Sequence, residues 1–174
     1  MSSTKKLALS AVLVALGTVF MVLGAVIEIM DLTVCALASL IVVFIYIEIG
    51  HPYTWLVWLA TSLATALMFP GSLIWIEYLL VFGVYPLIKA YIERLPRPLW
   101  WPIKLAFINA IIWALFFIAE WLLGVPFIEG ETLPLKIAAY VLMNVAFVAY
   151  DLFITIMVRL YFEKIRNRMK RFLK

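Results

Sequence analysis

Long apolar runs broken by short polar interruptions dominate the chain. Six can be marked, at residues 7–29, 32–49, 53–69, 73–92, 103–123 and 135–161. At about 1.5 Å per residue each reaches across a hydrocarbon layer of about 30 Å, the second and third only just. Membrane barrel strands alternate apolar and polar positions over about ten residues, whereas these runs are apolar on every face. In lipid the backbone must satisfy its own hydrogen bonds, so the runs predict helices. Turn residues separate them: Asp31, Gly50-His51-Pro52, Pro70-Gly71-Ser72, the Pro-rich stretch 93–102, and residues 124–134. Most links are short, which predicts antiparallel neighbours in one bundle over residues 1–161, followed by a tail over 162–174. The first run is too long for the apolar region of a cleaved signal peptide.

The polar residues inside the runs fall into stripes at helical spacing. Tyr140, Asn144, Val148, Asp151, Thr155 and Arg159 follow one another along the sixth run. Asn109, Trp113, Phe116 and Glu120 do so along the fifth, and Glu77, Val81, Tyr85 and Lys89 along the fourth. The first carries Ser10, Val14, Gly17, Met21, Gly24 and Glu28. Ionisable groups are costly in lipid, so each stripe is expected to face the bundle interior. Counted from the outer ends, Glu28, Asp31, Glu77 and Glu120 lie within a turn or so of the boundary, and Asn144 about 14 Å deep. Trp75, Tyr78, Trp121 and Tyr140 accompany them. Counted from the inner ends, Lys89 lies about 5 Å deep, Asn109 about 9 Å and Asp151 about 12–15 Å. Two sites are therefore expected. The outer one reads as a solute cavity built from Glu28, Asp31, Trp75, Glu77, Glu120, Tyr140 and Asn144, or else as acidic and aromatic helix ends seated in the water–lipid interface. The inner one is a polar network of Lys89, Asn109 and Asp151, with the long Lys89 stem reaching Asp151.

Composition sharpens this picture. Hydrophobic residues make up 67% of the 174 and charged residues only 14%, with a mean hydropathy of +1.13. Soluble domains are about half apolar and about a quarter charged. The single Cys35 excludes a disulfide scaffold, and the scarcity of polar sequence excludes a disordered or nucleic-acid-binding chain. The net charge of +4 is unevenly placed. With both termini cytoplasmic, thirteen of the 14 Lys and Arg fall on the inner side and only Lys136 on the outer. The positive-inside rule then fixes the orientation. The expected fold is an all-α membrane protein, a six-transmembrane-helix bundle in the cell membrane, with a basic amphipathic C-terminal tail. In that tail Phe162, Ile165, Met169 and Phe172 recur at helical spacing among Arg and Lys, a pattern drawn to an anionic leaflet. Arg97-Pro98-Leu99-Trp100-Trp101-Pro102 mixes cations with Trp and suits the headgroup layer.

No HExxH, P-loop or GxSxG occurs, and no Cys/His cluster offers a metal site. His51 reads as a loop residue and Cys35 as a packing residue. Neither an enzyme nor a cofactor is expected. Small residues form a further signal: Ala8, Ala11, Ala15 and Thr18 share a face of the first helix, turned more than 100° from the Glu28 stripe. Such faces let helices approach closely, here within the bundle or onto a membrane partner.

The opening Lys5-Lys6-Leu7-Ala8-Leu9-Ser10-Ala11-Val12-Leu13-Val14-Ala15-Leu16-Gly17, on a six-span chain of this length, resembles the substrate-binding S components of energy-coupling factor transporters. In that family a short basic N-terminus leads into a first helix with an Ala-x-x-x-Ala face, matched here by Ala11 and Ala15. The resemblance covers the first helix in sequence and the whole chain in layout. It implies docking of the Ala8, Ala11 and Ala15 face onto a transmembrane coupling subunit driven by a pair of cytoplasmic ATPases. It also implies a vitamin-sized substrate in the outer half of the bundle. The expected function is a solute-binding subunit of an importer, taking a cation or zwitterion among the outer acidic residues. A ligand-free scaffold, looking like the small membrane proteins of cell-shape and division complexes, is the alternative. A proton- or cation-coupled exporter using Lys89 and Asp151 is a third.

Overall fold

The computed structural model describes residues 2–27, 30–123 and 132–166. Its regular elements are all helical, with no strand among the described residues. In chain order they are α1 (Ser3–Val26), α2 (Asp31–Glu48), α3 (Tyr53–Met68), the short α4 (Ile74–Glu77) running into a π-turn (Tyr78–Phe82), and α5 (Tyr85–Ile92). A 3₁₀ turn (Arg97–Leu99) then leads into α6 (Trp100–Leu123), followed by α7 (Leu133–Leu160), which ends in a second π-turn (Tyr161–Ile165).

Five helical stretches are long and apolar enough to cross a membrane: Ser3–Val26, Asp31–Glu48, Ile74–Ile92, Arg97–Ile118 and Leu133–Ile165. α3 is equally apolar but has only 16 residues. Their outward faces carry large apolar side chains, among them Val12, Leu16, Leu63, Leu67, Phe117, Trp121, Leu142 and Val145. An aqueous surface rarely presents so much contiguous apolar area. The chain is built to be embedded in a membrane.

The chain divides into two compact units, the first comprising Met1–Leu87 with Phe153–Lys174 and the second Ile88–Leu152. In the first, α1 packs on α2 and α3, and the α4 segment joins them. The Ser2 side chain caps α1 by accepting the Lys5 N–H at 3.4 Å. Gly50 adopts a φ of 78°, which ends α2 in the left-handed region that other residues avoid, and α3 begins after Pro52. The polar stripe of α1 faces inward as expected: Ser10, Gly17, Met21 and Gly24 are buried. Ile41, Ile45, Ile49 and Val57 form the core, with Leu9, Leu13, Val14, Phe20, Phe44 and Tyr53 against it. Lipid tails are as apolar as Leu, so close packing rather than water exclusion holds such helices together. Three buried hydroxyls permit it by bonding to carbonyls of the preceding turn: Ser62 to Trp58 at 2.9 Å, Thr65 to Thr61 at 2.9 Å and Ser39 to Ala36 at 2.6 Å.

The fourth apolar run differs from a plain helix. Across the π-turn the Gly83 N–H bonds to the Tyr78 carbonyl, five residues back, at 2.7 Å. The Leu79 carbonyl accepts the Trp58 indole N–H from α3 at 3.1 Å. A Cβ at position 83 would collide with the Trp58 ring and come within 2.9 Å of the Tyr78 carbonyl, so only glycine fits.

The second unit contains the end of α5, the 3₁₀ turn, α6 and most of α7. Ile92, Ile108, Ile112, Phe147 and Tyr150 are its buried apolar residues. One stripe departs from expectation here. Asn109 is partly buried, but Trp113 is 67% exposed and Glu120 is exposed, so the α6 stripe turns outward beyond its first third. The spacings of four, three and four follow one face, yet the aromatic residues around them (Phe117 stacked on Trp121) suit a lipid-facing surface equally well.

Candidate functional site

The residues expected in the outer cavity fall in both units. In the first unit, Asp31 opens α2, where the helix dipole favours a carboxylate, and Cys35 lies one turn further on. Cys35 is fully buried, with its Sγ 3.9 Å from both the Met21 Sδ and the Ile74 carbonyl. The end of α4 brings Glu77, and the start of the π-turn the buried Tyr78, to the same place. Cys35 feels the charges of both Glu77 and Asp31, and Glu77 that of Asp31, so the groups form one electrostatic cluster. Glu77 Oε2 is buried and has no hydrogen-bond partner among the described residues. Trp75 is tied to its own turn, its indole N–H 3.4 Å from the Pro70 carbonyl. Glu28 lies outside the described residues. The Ala8, Ala11 and Ala15 face of α1 is exposed, opposite the buried stripe.

In the second unit, Tyr140 and Asn144 gather around Asn109. The Tyr140 hydroxyl donates to Asn109 Oδ1, and the two Asn side chains approach each other at 3.4 Å. Asn109 also donates to the Leu105 carbonyl at 2.8 Å and Asn144 to the Tyr140 carbonyl at 3.1 Å. This corrects the assignment of Asn109 to the inner network. Depths counted from opposite ends of two antiparallel helices meet in the middle, so Asn109 and Asn144 are neighbours rather than members of separate groups. Glu120 is exposed and takes no part in this cluster.

The inner network is larger than the sequence suggests. The Lys89 ammonium donates to Asp151 Oδ1 and, at 2.9 Å, to the Asp151 backbone carbonyl. Lys104, from the first turns of α6, donates to the same Asp151 oxygen at 2.8 Å. Both lysines also meet Glu93 Oε1, Lys104 at 2.9 Å and Lys89 at 3.3 Å. Two cations and two anions thus alternate around a closed ring tying α5, α6 and α7. Three members are buried, with side chains 3–6% exposed, whereas Glu93 is 33% exposed. In sequence Lys104 follows the Arg- and Trp-rich stretch 97–102 by two residues, where a cation reads as a topology signal. Its spacing of four to the buried Ile108 and Ile112 marks it as inward-facing.

Glu48 was likewise missed. A carboxylate at the last residue of α2 opposes the helix dipole, and Tyr161 at 3.0 Å and Arg166 at 3.3 Å offset it. In the tail, Phe162 and Ile165 are exposed, while Met169 and Phe172 lie outside the described residues. His51 is an exposed turn residue stacked on Trp55 and edge-on to Tyr46. No group of three or more His, Cys, Asp or Glu can hold a metal among the described residues. No family model, curated protein or solved structure matches the chain.

Proposed function

We propose that the chain is a six-span protein of the cell membrane, both termini cytoplasmic, that binds a small cationic or zwitterionic solute in its outer half. It serves as the solute-binding subunit of an importer whose energy comes from a separate module. Glu77 carries this reading. A carboxylate oxygen shut away from water among apolar helices is expensive unless a cation or donor meets it. Asp31 adds a second negative charge to the same cluster. Two carboxylates in a low-dielectric site attract a cation strongly and reject an anion. The Ala8, Ala11 and Ala15 face is open for a transmembrane coupling subunit with its cytoplasmic ATPases, as the resemblance to S components implies. The uneven distribution of Lys and Arg supports the orientation.

A membrane scaffold without a ligand is the second reading. It is favoured by the charge ring and the Asn109 cluster, whose polar groups satisfy one another. Native mass spectrometry of the full chain released from mild detergent separates the two. The wild type should carry a small-molecule adduct that Glu77→Gln loses. Ala11→Leu with Ala15→Leu should keep the adduct and shed any membrane-protein partner. A wild type without an adduct, co-purifying only with protein, would favour the scaffold.

A further inference from the structure

The ring of charge in the second unit is uneven in a way that points to a ligand. Asp151 is buried and accepts from both lysines. Glu93 closes the other side from the turn after α5, through one oxygen only, and its contact with Lys89 is 3.3 Å. A well-made ammonium–carboxylate bond measures about 2.7–2.9 Å. Lys89 therefore holds Glu93 loosely, and Glu93 is the one member of the ring reached from outside. The surroundings are cationic and aromatic. Arg94 and Arg97 are exposed beside it, as are Tyr91, Leu95, Leu99 and Trp101. Lys104 lies 5.5 Å from the centre of the Trp101 ring and 5.9 Å from that of Trp100. Lys89 and Lys104 meet the two anions, and Arg94, over the Tyr91 ring at 5.1 Å, and Arg97 add two further cations within a few residues of Glu93, so the segment is net positive. Exposed Trp and Tyr interleaved with Arg mark headgroup depth.

We infer that the Lys89–Lys104 pair is an anion seat at the membrane edge, filled by the chain's own Glu93 and exchangeable for the phosphate of an anionic phospholipid. A phosphodiester presents two non-bridging oxygens, one for each ammonium, where Glu93 offers a single oxygen to both. The flanking arginines receive the headgroup, and Leu95, Leu99 and Trp101 lie where the acyl chains begin. Asp151 stays in place throughout and keeps the two lysines oriented. The inference rests on the chain lying in a bilayer with this turn at headgroup depth. It does not depend on which leaflet that is, nor on a solute at Glu77.

The test uses the full chain in nanodiscs of phosphatidylglycerol or phosphatidylcholine, which present the same lipid on both faces, so a mistaken orientation cannot mimic failure. Melting temperature is measured in the discs, and bound lipid is counted by native mass spectrometry. Phosphatidylglycerol should be held in preference to phosphatidylcholine. Glu93→Gln weakens the built-in competitor and should raise that preference by roughly fivefold, the scale of one elementary charge near an anionic surface. Arg94→Gln with Arg97→Gln should lower it, and Lys5→Gln with Lys6→Gln, in the first turn of α1, should leave it unchanged. Glu93→Gln should also melt lower in phosphatidylcholine and recover in phosphatidylglycerol. Three results would overturn the inference: no lipid preference in the wild type, an unchanged or smaller preference in Glu93→Gln, or a Glu93→Gln chain that fails to fold in both lipids. Equal stabilisation by inorganic phosphate in detergent would also reject a lipid as the occupant.

Discussion

Asp151 accepts two ammonium groups on one carboxylate oxygen, and this sharing decides how the ring responds to substitution. Removing one partner of a buried pair leaves an uncompensated charge, at a cost on the order of 3–5 kcal/mol. Asp151→Asn strands two lysines against Glu93 alone, whereas Lys89→Met leaves Lys104 with both carboxylates. Asp151→Asn should therefore cost more than Lys89→Met in detergent melts. The double variant should recover only part of the loss, because Lys104 still lacks its buried partner. Additive losses in this cycle would mean that Lys89 and Asp151 act independently. Residue identity alone indicated the Lys89–Asp151 pairing, since a buried cation needs an anion within reach of its stem. Lys104 is less legible, because positive residues near a helix end are ordinarily topology signals.

At the scale of elements, the fourth apolar run shows where periodicity runs out. Glu77, Val81, Tyr85 and Lys89 are four residues apart, and on a regular helix that stripe drifts by about 120° over three steps. Yet Val81, Tyr85 and Lys89 are all buried. The π-turn inserts about one extra residue, which takes up most of the drift and keeps the stripe on one side. A repeated spacing of four was the available clue, and a 3.6-residue reading passes over it. The first helix, by contrast, was legible over its described stripe: Ser10, Gly17, Met21 and Gly24 follow spacings of seven, four and three and are all buried, with Val14 partly so. The π-turn also makes a specific demand on Gly83. Gly83→Ala should push Trp58 off the Leu79 carbonyl and cost about 1–3 kcal/mol, as overpacking does. A lowered melting temperature with altered Trp fluorescence is the expected result; an unchanged melt would mean that the Trp58 contact is dispensable.

For the whole molecule, the apolar helices and their breaks were readable because lipid imposes one backbone solution and an apolar exterior. The placement of side chains was less readable. Between Asn109 and Glu120 the α6 sequence is apolar on every side, and nothing there distinguishes a face that meets lipid from one that meets protein, which is why Trp113 and Glu120 were expected inside. The proposed solute site depends on Asp31 and Glu77, which sequence placed at similar depth and which are electrostatic neighbours in the first unit. The property proposed for it is charge selectivity, and isosteric solute pairs test that most directly. Each organic cation, such as a quaternary ammonium, is paired with its neutral carbon analogue, and the shift in melting temperature of the full chain is recorded for both. The account predicts that at least one cation stabilises the wild type while its neutral analogue does not, and that Glu77→Gln abolishes the difference. Equal shifts for cation and analogue, or a selectivity that survives Glu77→Gln, would contradict it.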